Sequence, residues 1–145
     1  MDKQITIERI TKNEDIFLTQ INSLLDEGVE WDIEQGRKFL ENSDNAVFVA
    51  VWEQKAVGFL TAYRLQRFDK RQAEVLLYEI GVSENFRQKG IGKALIEKVR
   101  NWGKEIDADE IWVLTNKSNT AANALYQSAG GRVENIDDTM YVFKL

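Results

Sequence analysis

Two neighbouring stretches of this chain hold residues able to do chemistry. In EVLLYEIGV, Glu79 interrupts an apolar run. Shortly after comes Arg87-Gln88-Lys89-Gly90-Ile91-Gly92-Lys93-Ala94-Leu95, with three cations and two glycines in a chain of net charge -5. Further on, Tyr126 lies in SNTAANALYQSAG. A carboxylate can take a proton and a phenol can give one. The chain has 0 His and 0 Cys, so histidine-based hydrolysis, thiol nucleophiles and thiolate or imidazole metal sites are all excluded. Proton transfer falls to Asp, Glu, Lys, Tyr or water.

The glycine-punctuated stretch reads as the start of a helix. The first amides of a helix have no partner within it and point outward. The helix dipole adds partial positive charge there. Glycine at 90 and 92 removes Cβ atoms and lets a ligand approach, and Arg87, Lys89 and Lys93 add full charges. Such a loop binds a phosphate or pyrophosphate. A Walker loop is excluded, because Arg87 stands where its first glycine belongs. A dinucleotide fingerprint fails at Leu95, where a small residue is needed. The spacing that remains is Arg-x-x-Gly-x-Gly over Arg87, Gly90 and Gly92.

Elements must hold these residues in place. ITIERI alternates as a half-buried strand does. Phe17, Ile21, Leu24 and Leu25 share one face of a helix over 13–28, with Gly28 as its stop. A second short helix follows Trp31, with Asp32 and Gln35 spaced as a capping box and Ile33, Gly36 and Leu40 on one side. AVFVAVW and AVGFLTAYRLQRF are strands joined by a tight turn at EQK, and EVLLYEIGV is a central strand. Leu95, Val99, Trp102 and Ile106 recur at helical spacing over 91–106. EIWVLT is a fifth strand, SNTAANALYQSAG a helix stopped by Gly130, and VENIDDTMYVFKL one or two last strands. The expectation is one α/β domain over residues 1–145.

Three features resemble the GCN5-related N-acetyltransferases, the GNAT family. They are the Arg87-x-x-Gly90-x-Gly92 loop, the segment Ile80-Gly81-Val82 before it, and Asn119-x-x-Ala122-x-x-Leu125-Tyr126-x-x-x-Gly130 after it. The resemblance implies a mixed, mostly antiparallel central sheet, splayed between strands 4 and 5 and flanked by about four helices. It implies acetyl-CoA as cofactor, with pyrophosphate on the loop from Arg87, Gln88, Lys89 and Gly90 to Ile91, Gly92 and Lys93. The pantetheine arm would pair with Ile80, Gly81 and Val82 and touch Asn119, Ala122, Leu125 and Tyr126. Asn119 is equally suited to capping its helix. By the same resemblance Tyr126 is the general acid, with core packing as its alternative. Glu79 is general base, substrate anchor or a plain outward carboxylate, and the amide of Val82 or a neighbour serves the thioester oxygen. The chain departs from the family at Gly131, where an aromatic is common, and looser packing under the last helix is expected.

Within the family the chain is similar to small aminoglycoside 3-N-acetyltransferases. A polycationic acceptor calls for carboxylates, and Glu79, Asp137, Asp138 and Glu30 are the expected substrate-binding set, with Glu27, Asp32 and Glu34 nearby. Polyamines, protein lysines and N-terminal amines stay open as acceptors. A non-catalytic acyl-CoA sensor is the rival from another class, and a NAD-dependent oxidoreductase is a distant third. The acidic composition argues against a nucleic-acid partner, and no apolar run approaches a membrane span, so a cytoplasmic protein with a small cationic amine substrate and no metal is expected. MYVFKL is able to pair across a sheet edge, so a homodimer is among the expected states.

Overall fold

The computed structural model describes residues 4–11, 15–21, 24 and 32–145. The expected turn at Gly28, the helix entry at Trp31 and the carboxylates Glu27 and Glu30 lie outside the described residues. The elements run β1 (Thr6–Arg9), α1 (Asp15–Ile21), α2 (Ile33–Glu41), β2 (Asn45–Trp52), β3 (Lys55–Leu65), β4 (Ala73–Val82), α3 (Ile91–Glu105), β5 (Ala108–Trp112) and α4 (Thr120–Ser128). The strands form one sheet in the order β1-β2-β3-β4-β5. Neighbours from β1 to β4 are antiparallel, and β4 and β5 are parallel, joined through α3.

Each face of the sheet is covered by helix. Ile91, Leu95, Val99 and Trp102 form the buried stripe of α3 against Phe48, Leu60, Val75 and Leu77. On the other face Leu18 and Ile21 of α1, with Ile33 and Leu40 of α2, meet Val47, Val49 and Phe59. Full burial of such a side chain is worth about 1.5–3 kcal/mol, and the first cluster takes in Val75 and Leu77 of β4. Asp32 caps α2 by accepting from the Glu34 amide at 2.9 Å. Gln35, expected to complete a capping box, lines a pocket instead. The β2–β3 turn falls on Glu53 and Gln54, both at positive φ (48° and 65°), the geometry of a two-residue hairpin turn.

The expected last strands over VENIDDTMYVFKL are not formed. Every residue of 131–145 is exposed and none belongs to a strand. Alternation supplies a strand's side chains but not its ladder, which needs a neighbour. At the other end of α4 the geometry is closed. The Gly130 amide donates to Gln127 O at 3.0 Å and the Gly131 amide to Tyr126 O at 2.8 Å, a Schellman cap with Gly130 at φ +91°. A Cβ on Gly131 would stand 2.9 Å from that same Tyr126 oxygen. Gly131 thus closes the end of α4 through its backbone.

Candidate active site

The strand that carries Glu79 is irregular at the point where it matters. In the β3–β4 register Thr61 faces Glu79 and Ala62 faces Leu77, so Tyr78 is an extra residue in a β-bulge. Val75 and Leu77 point into the α3 cluster. Uninterrupted alternation would send Glu79 there too, a carboxylate in an apolar core. The bulge instead turns Glu79 to the α1–α2 face, and Ile80 and Val82 pack against the α3 cluster.

On that face Glu79 lines a pocket with Leu18, Ile21, Gln35, Gly36, Phe39, Val47, Phe59, Thr61 and Tyr63. Among the described residues Glu79 is its one charged group. Its Oε2 accepts from Thr61 Oγ1 at 3.3 Å. Aromatic rings run in edge-to-face contact from Phe39 to Tyr63 (5.4 Å) and from Tyr63 to Tyr78 (5.5 Å). Burial, then the neighbouring Tyr78 and Glu79, push the Tyr63 phenol above its ordinary pKa, so it stays a neutral donor. Sequence reasoning missed Thr61, Tyr63 and Phe39. The period-two set Phe59, Thr61, Tyr63 in FLTAYRL was the available signal, since it places one hydroxyl and one phenol on a single strand face.

Beside the pocket the sheet opens. Pairing between β4 and β5 ends at Leu76 and Trp112, while β4 runs on to Val82. Among the described residues no strand pairs with its last residues, Ile80-Gly81-Val82 among them, on that side. Gly81 has a packing duty as well: a Cβ there would stand 2.7 Å from Phe59 Cε1.

The loop after β4 has the form its sequence implies. A short 3-10 turn spans Glu84–Phe86. Gln88 and Gly90 take positive φ (60° and 79°), and Gly90 is the N-cap of α3 with no side-chain cap. No acidic residue occupies the first turn of α3. Nothing lies within 4 Å of where a Gly90 Cβ would stand, so the space beside the backbone is open at that point. Arg87 donates through Nε to Val82 O at 3.1 Å, which ties the guanidinium to the end of β4. Lys89 lies 5.4 Å over the Phe86 ring, and Lys93 is exposed. Arg87, Gln88 and Lys89 are exposed too. Two expected contacts are qualified. Ile91 buries its side chain in the α3 cluster, leaving only its backbone for a ligand. Gly92 makes room for α4, since its Cβ would stand 3.0 Å from Leu125.

Asn119 caps α4 by accepting from the Ala122 amide at 3.1 Å. Asn123, which sequence reasoning passed over, fastens the preceding loop by donating to Asn116 O at 2.9 Å. Tyr126 is half-buried against the α3 cluster, and burial raises its phenol above the ordinary value. Glu79 thus lies on the α1–α2 side of the sheet and Tyr126 on the α3 side. Asp137 and Asp138 lie on the exposed C-terminal segment, and neither lines the pocket. Asp32 and Glu34 serve α2, as its cap and as the ion-pair partner of Arg37. Among the described residues no cluster of metal-ligating side chains occurs, and no helix is long and apolar enough to cross a membrane.

Known proteins share this fold. The family model described as Acetyltransferase (GNAT) family matches residues 16–130. Aminoglycoside N(6')-acetyltransferase type 1 of Salmonella typhimurium is 30% identical over 98 residues, 66% of this chain and 68% of that protein. Human N-acetyltransferase 8 is 29% identical over 94 residues, 65% of this chain but only 41% of its own length. The chain thus spans about two fifths of that human relative. Among solved structures, an aminoglycoside acetyltransferase from an uncultured soil metagenomic sample, in complex with sisomicin, superposes with a TM-score of 0.86 at 27% identity over 97% of both chains. An aminoglycoside N-acetyltransferase solved with CoA shares the fold, with a TM-score of 0.84 at 24% identity over 99% of this chain and 97% of that one. The matched span holds the bulged strand, the Arg87–Gly92 loop and Tyr126, and the chain belongs to the GNAT acetyltransferase family.

Proposed function

We propose that this protein moves the acetyl group of acetyl-CoA directly to a primary amine in a ternary complex, with an aminoglycoside as the acceptor. The observation that carries the reading is the opening of the sheet after Leu76 and Trp112, with a proton acceptor on one face and a proton donor on the other. Acetyl-CoA, when bound, supplies an activated thioester. The chain's own residues do the rest. The amides at the start of α3 and Arg87 hold the pyrophosphate, and the unpaired edge of Ile80–Val82 holds the pantetheine arm. The lack of a Cβ at Gly90, facing open space, fits a group that lies against backbone.

The amine enters from the α1–α2 pocket. A primary amine of pKa near 10 is almost all ammonium at neutral pH, and freeing it costs about 4 kcal/mol for a gap of roughly three pKa units. Glu79 first binds that ammonium by charge, then takes its proton directly or through water. Thr61 fixes the carboxylate that does this. The Val82 amide or a neighbour steadies the thioester oxygen. Tyr126 gives a proton to the departing sulfur, and its raised pKa keeps that proton in place at neutral pH. The chain has 0 Cys, so no cysteinyl acyl-enzyme competes with direct transfer.

The aminoglycoside reading is supported by relatives whose names carry that substrate. The sequence resemblance pointed to the 3-N amine, whereas the Salmonella relative is named for the 6' amine. Thiol release from acetyl-CoA over a panel of aminoglycosides, polyamines and peptides tests the acceptor, and NMR of the product assigns the acetylated nitrogen. Reaction with sisomicin-class amines is expected. Inert aminoglycosides beside reactive spermidine would remove that acceptor while leaving the transferase reading intact. A thermal shift with acetyl-CoA but not NAD is expected, because a specific ligand stabilises by mass action.

A further inference from the structure

Tyr63 lines the α1–α2 pocket with Glu79, yet acetyl transfer as proposed leaves it without a task. It stands two residues beyond Thr61 on β3, about 7 Å further along the same strand face. Its backbone pairs with Asn45 of β2 on one side and Leu76 of β4 on the other. Leu76 is where β4–β5 pairing ends, so Tyr63 is level with the opening of the sheet.

Two rings hold the Tyr63 side chain. Phe39 meets it edge-to-face at 5.4 Å and Tyr78 at 5.5 Å. Phe39 is itself anchored, because its carbonyl accepts from Asn45 Nδ2 at 2.9 Å. Tyr78 is the extra residue of the bulge, so the irregularity that turns Glu79 into the pocket also sets a ring against Tyr63. A side chain wedged in this way has given up its rotamer freedom before a ligand arrives, which lowers the cost of binding one.

The hydroxyl is less well served than the ring. Among the described residues it has no hydrogen-bond partner. A buried phenol ordinarily finds one. Tyr63 is partly buried and keeps its proton at neutral pH, so it offers a donor at the pocket wall. A donor needs a lone pair to meet. A fully protonated polyamine has none, whereas a sugar ring and its hydroxyls have several.

We propose that Tyr63 is a specificity-determining residue of the acceptor site, its hydroxyl donating to an ether or hydroxyl oxygen that lies beside the reacting amine. The favoured substrate class is thereby an amine on an oxygen-bearing ring, as opposed to an oxygen-free polyamine. The inference rests on the pocket receiving the acceptor amine.

Two model amines of one shape test it. 2-(Aminomethyl)tetrahydropyran has a ring oxygen where (aminomethyl)cyclohexane has a methylene. Calorimetry with coenzyme A present gives the dissociation constant of each for the parent chain and for Tyr63→Phe, which keeps the ring and its two contacts. Loss of the hydroxyl should weaken the pyran amine about three- to tenfold, the worth of one hydrogen bond. The cyclohexane amine should not change. Sisomicin and spermidine should divide in the same way. Equal loss for oxygen-bearing and oxygen-free amines would make Tyr63 a structural residue and overturn the proposal. Unchanged binding of both, or binding of neither, overturns it as well. Binding is read here without turnover, so a chain that binds these amines as expected but releases no thiol would contradict the transfer reading alone.

Discussion

Tyr126 and Glu79 were recognisable as residue types, because a carboxylate in an apolar strand and a tyrosine in the Asn119–Gly130 pattern stand out. The facing of Glu79 was not legible. It depends on one extra residue, Tyr78, whose bulge exists only against the Thr61–Ala62 register of β3. Substituting Tyr126→Phe should lower kcat by about 10²–10⁴-fold, the usual worth of a positioned acid, with little change in the Michaelis constant for acetyl-CoA. Steady-state kinetics checks this, and equal damage to both constants would mean a binding role. Burial raises the Tyr126 pKa, so the donor is intact at neutral pH and is lost as pH rises through that raised value. On the alkaline side the parent enzyme should therefore lose kcat in strong base, a limb the Phe variant lacks. The sign for stability is the same: the unfolded phenol ionises first, so folding weakens above about pH 10. Glu79→Gln should lower kcat/KM for the amine. A rise in KM alone would make Glu79 an anchor rather than a base.

The helices and the first five strands were legible because their periods are long and consistent, as with Leu95, Val99 and Trp102 on α3. The duties of individual glycines were not, because they depend on neighbours distant in sequence. Gly92 looked like a ligand contact, yet Leu125 of α4 occupies the space its side chain would take. Gly131 looked like a defect, yet the carbonyl of Tyr126 fills its place. Gly131→Ala should cost about 1–3 kcal/mol, the usual range for overpacking, read by urea unfolding. It should also lower kcat, because the displaced atom belongs to Tyr126. At Gly90 the limit is conformational, with φ at +79° and no neighbour within 4 Å. Gly90→Val should therefore cost stability of about 1–3 kcal/mol through strain alone and weaken acetyl-CoA binding, measured by calorimetry. Arg87→Ala should weaken binding without that stability loss. Unchanged affinity in both variants would refute the pyrophosphate assignment.

Taken whole, the molecule is a sheet opened on one side, with a basic loop for a polyanion set in an acidic chain of net charge -5. The expected acidic cleft is reduced to a single carboxylate among the described lining residues, set against aromatic rings. The C-terminal run VENIDDTMYVFKL reads as one or two strands, and no strand forms over 131–145. The central claim is direct transfer across the opened sheet, and initial-rate kinetics with both substrates varied tests it most directly. Thiol release that requires the amine, equals the acetylated product mole for mole and gives intersecting double-reciprocal lines is predicted. Parallel lines, or thiol release without an acetylated amine, would contradict it.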